Sequence, residues 1–351
     1  MSYFLPHIAA MEGYVPGEQP DEGGFVKLNT NENPYPPSPH VIERLRSTDL
    51  DALRLYPDPE ATGVRRRLAG LFGVEIDQTM IGNGSDELLS IILRCFAGPG
   101  DAVAYPVPTY SYYKKLIHIQ GATEATVPFG PDFELPPLLA DTAARLILLA
   151  NPNSPSGTLI PTAAIESLAA FHSGIVVVDE AYVDFADAGC TELLERCPNV
   201  IVLRTMSKSF SLAGMRLGFA LASAKLIAGM WKVKDHYNVN RLGLAAAEAA
   251  IDDIGWMREN ARRICATRDE LTAGLQRLGF HVWKSAANFV FARVPGTAAL
   301  NAGSLYEELK RRRVLVRYFN QSGLDDCVRI SVGTDKEIGT LFAQLESLLS
   351  G

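Results

Sequence analysis

The sequence predicts an α/β protein: a mainly parallel sheet covered by helices, followed by a smaller α+β region. Three observations predict it. Between about residues 40 and 240, short apolar or β-branched runs alternate with helical stretches. Those runs are continuously apolar rather than alternating, as strands buried on both faces are. Each run also stops at polar or glycine-rich residues, where such sheets gather their ligands.

The elements follow in order. Residues 1–40 are rich in Pro and Gly, end in "NENPYPPSPH", and read as an irregular arm that packs with the C-terminal part of the chain. Residues 41–245 form the large domain. Its strands lie around "TMIGNG", "DAVAYP", "RLILLANP", "GIVVVDEAY" and "VIVLRT", separated by amphipathic stretches such as "DELLSIILRCFAG" and "PTAAIESLAAFH". Residues 246–351 form the small α+β domain. It opens with a long helix over 253–279, where Ile264, Leu271, Leu275 and Leu278 share a face and Gly279 closes the element. Strands "NFVFARV", "VLVRYF" and "CVRISVG" follow, with the helix "LYEELKRR" between the first two. The run "KRRR" at 310–313 reads as a solvated helix end.

The totals exclude several function classes. The 351 residues carry a net charge of −7, without the basic excess that nucleic acid or an anionic membrane attracts. Apolar runs such as "IVVV" and "LILLA" are far too short to span a bilayer, and "MSYFLPHIAAMEG" lacks the layout of a signal peptide. The five cysteines show no CxxC spacing and the six histidines are scattered, so reduced structural thiols in a cytoplasm and no metal are expected.

Three strand ends carry the chemistry. "GNGSDE" at 82–87 leaves a strand and enters a helix, presenting backbone N–H groups of Ser85 and Asp86 to an anion, although either side chain could instead cap the helix. It is neither a P-loop nor a dinucleotide fingerprint. Asp179 closes "VVVD", where a semi-buried carboxylate needs a positive or donating partner. Lys208 follows the next strand between Ser207 and Ser209, with Arg216 beyond; a buried lysine can act as an amine nucleophile. An anion cradle, a carboxylate and an amine together suit one cofactor, pyridoxal 5′-phosphate, which brings a phosphate, a basic ring nitrogen and an aldehyde.

The set "GNGSDE", "PTYSYY", "NPNSPSG", "DEAY" and "SKSFSLAGMRLGF" resembles the fold-type-I aminotransferases, in particular the histidinol-phosphate aminotransferase family. "YVPGEQP", "LNTNENPYPPSP", "LYPDPE" and "CVRISVGT" extend the resemblance over nearly the whole chain. It implies a seven-stranded-type sheet in the large domain. It further implies that Lys208 bonds to the cofactor aldehyde, that Asp179 pairs with the ring nitrogen, and that Tyr182 donates to the ring's phenolate oxygen. Tyr110 would stack on the ring, and Ser85, Asp86, Ser207 and Arg216 would hold the phosphate. Tyr56 would reach the neighbouring subunit's phosphate site, implying a homodimer with composite active sites. Where the family commonly has Asn before the loop proline, this chain has Ser154, with Asn153 ahead of it, so either could contact the ring oxygen. Tyr14, Arg317 and Arg329 would bind the substrate's anionic groups.

The activity so implied is amino transfer between histidinol phosphate and 2-oxoglutarate, giving imidazole-acetol phosphate and glutamate, in histidine biosynthesis. The motifs leave open an aromatic amino-acid aminotransferase and a threonine-phosphate decarboxylase-like enzyme. A non-catalytic ligand-binding module on the same fold is a more distant alternative.

Overall fold

The structure, a computed structural model, describes residues 3–13, 17–20 and 23–349. Among those residues thirteen strands form three sheets. In chain order they are β1 (Val26–Lys27), β2 (Thr79–Gly82), β3 (Ala102–Val107), β4 (Thr123–Pro128), β5 (Leu146–Ala150), β6 (Ile175–Asp179), β7 (Val200–Thr205) and β8 (Gly218–Ala222), then β9 (His281–Val282), β10 (Phe289–Arg293), β11 (Val314–Leu315), β12 (Arg317–Tyr318) and β13 (Cys327–Ser331).

The large sheet has seven strands in the order β2-β8-β7-β6-β5-β3-β4. All five strands read for the large domain belong to it. Two were not read. "TEATVP" forms the edge strand β4, where only Val127 is buried, so it lacks an apolar run. "GFALA" forms β8, the one strand antiparallel to its neighbours β2 and β7.

The central strands are buried on both faces because their side chains alternate between two cores. Ile147, Leu149, Val176, Val178 and Val202 face a core shared with helices Thr162–Phe171 and Ile254–Arg277. Leu146, Leu148, Val177, Ile201 and Leu203 face the other, covered by helices Ser85–Phe96 and Tyr112–Gln120. Each such side chain contributes about 1.5–3 kcal/mol by leaving water. The first core also takes in Leu28 of the arm and Val290 and Ile330 of the C-terminal sheet, so hydrophobic packing is continuous across the chain.

The C-terminal sheet runs β12-β13-β10-β9 and is entirely antiparallel. The long helix spans Ile254–Arg277 and stops before Gly279, whose φ of 87° suits glycine. "VLVRYF" divides into β11 and β12, and β11 pairs in parallel with β1 of the arm. The run 310–313 is more than a solvated helix end. Lys310 pairs with Glu18 at 2.8 Å, Arg313 donates to the Gly23 carbonyl at 2.9 Å, and Arg312 donates to Ser347 at 3.0 Å. Three of its cations therefore fasten the arm and the last helix to the end of helix Ala302–Arg311 and the turn after it. No helix among the described residues is long and apolar enough to cross a membrane.

One buried ion pair joins the ends of two central strands. Glu180, directly after β6 and 1% exposed, accepts from Arg204 of β7 through Nε and Nη2, each at 2.8 Å. The Cys190 amide donates to it as well, at 2.5 Å. Burial pushes the Glu180 carboxyl upward, and Arg204 opposes that shift. Replacing Arg204 with Ala leaves a buried carboxylate uncompensated and is expected to cost about 3–5 kcal/mol of stability, measured by urea unfolding at pH 7. A loss below about 1 kcal/mol would show that the pair adds nothing beyond a surface bridge.

Candidate active site

The carboxyl ends of the central strands, the arm and the C-terminal sheet enclose a cleft of about 820 Å³. Its floor at one end is an anion cradle. β2 ends at Gly82, and the chain turns through Gly84, at φ 82°, into the helix beginning at Ser85. A Cβ on Gly84 would lie 2.8 Å from Arg216 Nη2, and one on Gly218 would lie 2.4 Å from the Ser85 amide nitrogen. Glycine at both positions therefore lets a helix N-terminus, its free amides and a guanidinium meet without an intervening side chain. Arg216 itself sits in the left-handed region at φ 52°.

The side chains of the cradle orient one another. Asp86 takes Arg216 Nη2 on Oδ2 at 3.1 Å and the Tyr110 hydroxyl on Oδ1 at 3.2 Å. Arg216 Nη1 donates to Ser207 Oγ at 3.4 Å, and Thr205 Oγ1 donates to the same oxygen at 3.0 Å. The Asp86 carboxylate thus aims Arg216 and Tyr110, leaving backbone amides to face the anion. The cradle and Lys208 do not stand on neighbouring strands, because antiparallel β8 separates β2 from β7.

Deeper in the cleft is Asp179, the last residue of β6 and 5% exposed. Its Oδ2 accepts from the Tyr113 hydroxyl at 2.9 Å, while Oδ1 is buried without a partner of hydrogen-bonding geometry. Burial pushes this carboxyl up to about 6, and the Tyr113 bond works against the shift. Tyr113 was not singled out in the sequence. It lies three residues after Tyr110 in "PTYSYY", a spacing that puts both rings on one side of a helical turn, but an apolar ring in a helix reads first as core.

Lys208 follows β7, half-buried. Its Nζ donates to the Thr30 carbonyl at 3.3 Å and lies 5.8 Å from the centre of the Tyr182 ring. The arm fixes both residues. Asn33 Nδ2 donates to the Lys208 and Ser209 carbonyls at 3.0 and 3.1 Å, and Asn31 Nδ2 donates to the Tyr182 hydroxyl at 3.0 Å. Asn31 has a φ of 55°, which asparagine tolerates better than most residues, and Ser331 of β13 bonds both its amide and its side chain. These arm asparagines are functional neighbours that the sequence reading missed. Their segment, "NTNEN", reads as part of an irregular arm and of a motif that extends the resemblance, with no role given to either asparagine.

At the far end, Arg317 of β12 stands directly opposite Arg329 of β13. Arg329 donates to Ser154 Oγ at 3.1 Å and to the Asn29 carbonyl at 3.0 Å, and its guanidinium lies 5.1 Å from the Phe289 ring centre. Arg317 lies 5.6 Å from the Phe319 ring. Aromatic faces thus carry both cations.

Two sequence-derived residues lie elsewhere. Asn153 is fully buried and gives its amide hydrogens to the Pro108 carbonyl (3.2 Å) and Ser156 Oγ (2.9 Å), while Thr109 donates to its oxygen (2.7 Å). It shapes the loop, and Ser154 is the residue that lines the cleft. Tyr56 is 75% exposed and stacks on Tyr237 with ring centres 4.3 Å apart, outside this chain's own cleft. Tyr14 lies outside the described residues.

Residues 24–345 match the model of the family Aminotransferase class I and II. The chain belongs to that family. It is 45% identical to histidinol-phosphate aminotransferase of Syntrophotalea carbinolica over 349 residues, covering 99% of this chain and 100% of that one. It is 44% identical to histidinol-phosphate aminotransferase 1 of Trichormus variabilis over 352 residues, covering 99% of each. Among solved structures, histidinol-phosphate aminotransferase of Sinorhizobium meliloti in complex with pyridoxal-5′-phosphate superposes with a TM-score of 0.90 at 27% identity, covering 100% of this chain and 98% of that one.

The residues of this aminotransferase fit pyridoxal 5′-phosphate. Asp179 offers a buried carboxylate oxygen that lacks a partner, as a protonated ring nitrogen requires. The glycine-lined cradle has room and donors for a phosphate, and the Lys208 amine lines the same cleft. Gly218→Ala places a methyl against the Ser85 backbone, which has no side chain to give way. It is expected to weaken cofactor binding at least about tenfold, roughly 1.4 kcal/mol, while the fold persists. Equilibrium dialysis of the phosphate ester checks this; a dissociation constant within twofold of the parent would show that the cradle tolerates a Cβ.

Proposed function

We infer that this aminotransferase exchanges an amino group between histidinol phosphate and 2-oxoglutarate, forming imidazole-acetol phosphate and glutamate. The observation that carries the reading is a cleft with cationic groups at two ends: Arg216 with the helix N-terminus at one, Arg317 opposite Arg329 at the other. The first suits the cofactor phosphate. The second suits the substrate anion, and a guanidinium fork accepts a phosphate or a carboxylate by the same paired hydrogen bonds. Full-length identity of 44–45% to histidinol-phosphate aminotransferases supports this substrate pair.

Bound pyridoxal 5′-phosphate supplies an electron-accepting ring and a carbonyl carbon that carries the amino group. The chain's own residues do the rest. Asp179, at the buried end of β6, would hold a positive ring nitrogen. Tyr182, its hydroxyl steadied by Asn31, faces the Lys208 amine. Lys208 Nζ removes the proton from the substrate Cα, a transfer that requires the amine within hydrogen-bonding reach. Tyr110, fixed through Asp86, presents a ring for stacking. Ser154 sits beside Arg329 and lines the cleft in place of the asparagine common in the family.

The reading includes a homodimer and a division into arm 1–40, large domain 41–245 and small domain 246–351. Tyr56, Leu50, Leu53, Leu55 and Tyr237 are exposed large apolar groups, the kind of surface that a second subunit covers. Tyr56 would then complete the neighbouring subunit's phosphate site.

Rapid-mixing measurement of one turnover, with histidinol phosphate, phenylalanine and tyrosine compared side by side, tests the substrate. Histidinol phosphate is expected to react fastest, and a faster reaction with phenylalanine would overturn the assignment. Lys208→Ala should lower amino transfer by about 10²–10⁴-fold or more with the fold intact. Mixing inactive Lys208→Ala and Tyr56→Phe chains should restore part of the activity through hybrid dimers. No recovery from two stable, exchanging variants would argue against shared sites.

A further inference from the structure

Tyr113 is among the largest fully buried side chains of the protein, yet it ends in a polar hydroxyl. Its ring is clamped edge-on by Tyr105 and Tyr110, with centres 6.1 and 5.5 Å away. Its hydroxyl donates to Asp179 Oδ2 at 2.9 Å. A phenol so enclosed does not give up its proton in the working range: burial, then the Asp179 charge, raises it well above its usual value. It is therefore a permanent donor, held on one oxygen of a carboxylate whose other oxygen has no partner. Tyr105, the neighbouring ring, sends its hydroxyl elsewhere, to Glu124.

We propose that Tyr113 is a positioning residue for the cofactor: its hydroxyl fixes the Asp179 carboxylate in one orientation, keeps it charged, and leaves Oδ1 for the ring nitrogen. This rests on the reading of Asp179 as the partner of that nitrogen. Burial and the like charges of Asp86 and Glu180 oppose ionisation of Asp179, while Tyr113 and the Ala181 amide favour it. Lys208, Tyr182, Arg216, Tyr105, Tyr110 and Lys114 line the same cleft, as do Arg317 and Arg329 of the C-terminal sheet. Below about pH 6 the unliganded carboxyl takes up a proton, which must leave before a ring cation can bind. Removing the hydroxyl moves that titration upward, because a hydrogen bond to the charged form is what has been lost.

The test compares binding of pyridoxamine 5′-phosphate, which has no aldehyde and forms no bond to Lys208, to the full-length parent and Tyr113→Phe between pH 5 and pH 8. Ionisations of the ligand are common to both proteins and cancel in the ratio of their dissociation constants. That ratio is expected to grow about tenfold as the pH falls from 8 to 5, one unit of displaced Asp179 titration. A ratio that does not change with pH would assign Tyr113 to packing and overturn the proposal. Tyr105→Phe should give a flat ratio, and so should Tyr113→Phe introduced into Asp179→Asn. Should Tyr113→Phe not fold, 3-fluorotyrosine at position 113, a more acidic and stronger donor, should move the ratio the opposite way; no movement would equally overturn it. Failure of the parent to bind the ligand at any pH would instead overturn the cofactor reading.

Discussion

A carboxylate at the end of a strand buried on both faces is costly to charge, and two stand together where β6 ends. Asp179 and Glu180 are 5% and 1% exposed, adjacent in sequence, and both raised by burial. The chain treats them differently. Glu180 meets a guanidinium and an amide from within the protein and is saturated. Asp179 meets a phenol on one oxygen, and its other oxygen has no partner of hydrogen-bonding geometry. An internal cation beside Asp179 would have stabilised the empty fold at the expense of a site. The asymmetry is that expected between a structural carboxylate and one left open to a cation from outside the chain.

The same economy governs the arm. Residues 26–33 have little regular structure, yet their backbone and amide groups bond to both halves of the cleft. β1 pairs with β11 and Asn31 with Ser331 on the C-terminal side; Thr30 and Asn33 hold Lys208 and its loop on the other. Asn288 also donates to the Asn31 carbonyl at 3.0 Å. The arm is thus a bridge between the strand end that supplies the amine and the sheet that supplies Arg317 and Arg329. Apart from the Lys208 Nζ contact to Thr30, these bonds use backbone atoms and short side chains, so they tie the C-terminal sheet to the loop that carries Lys208.

How much of this was legible in the sequence depends on how local the signal is. The five apolar strands and the long helix to Gly279 were readable because buried parallel strands and amphipathic helices write their burial into neighbouring residues. β4 was not, because an edge strand is buried at a single position, and β8 was absorbed into the motif that precedes it. At the site, Asp179, Lys208 and Arg216 stood out as polar residues beside strand ends. Tyr113 did not: its ring satisfies a core position and only the fold reveals where its hydroxyl goes. Asn153 and Ser154 are the instructive pair. Two polar residues side by side in a loop are indistinguishable in sequence, and only the folded loop spends the asparagine on Pro108 and Ser156 and turns the serine to the cleft.

The two cationic groups of the cleft stand in a protein of net charge −7, and each is oriented in a different way. At the cradle, Arg216 is oriented by a carboxylate, Asp86, which offsets part of its charge, but the helix amides add donors that carry no counter-charge. At the other end, Arg329 is oriented by a hydroxyl and a carbonyl, and the rings of Phe289 and Phe319 back the two guanidinium groups. Neutral acceptors and aromatic faces aim a guanidinium without cancelling it. The first arrangement suits an anion that stays, since a rigid array of amides supplies much of its binding. The second suits anions that come and go, since Ser154 and Asn29 already give Arg329 neutral acceptors within the protein.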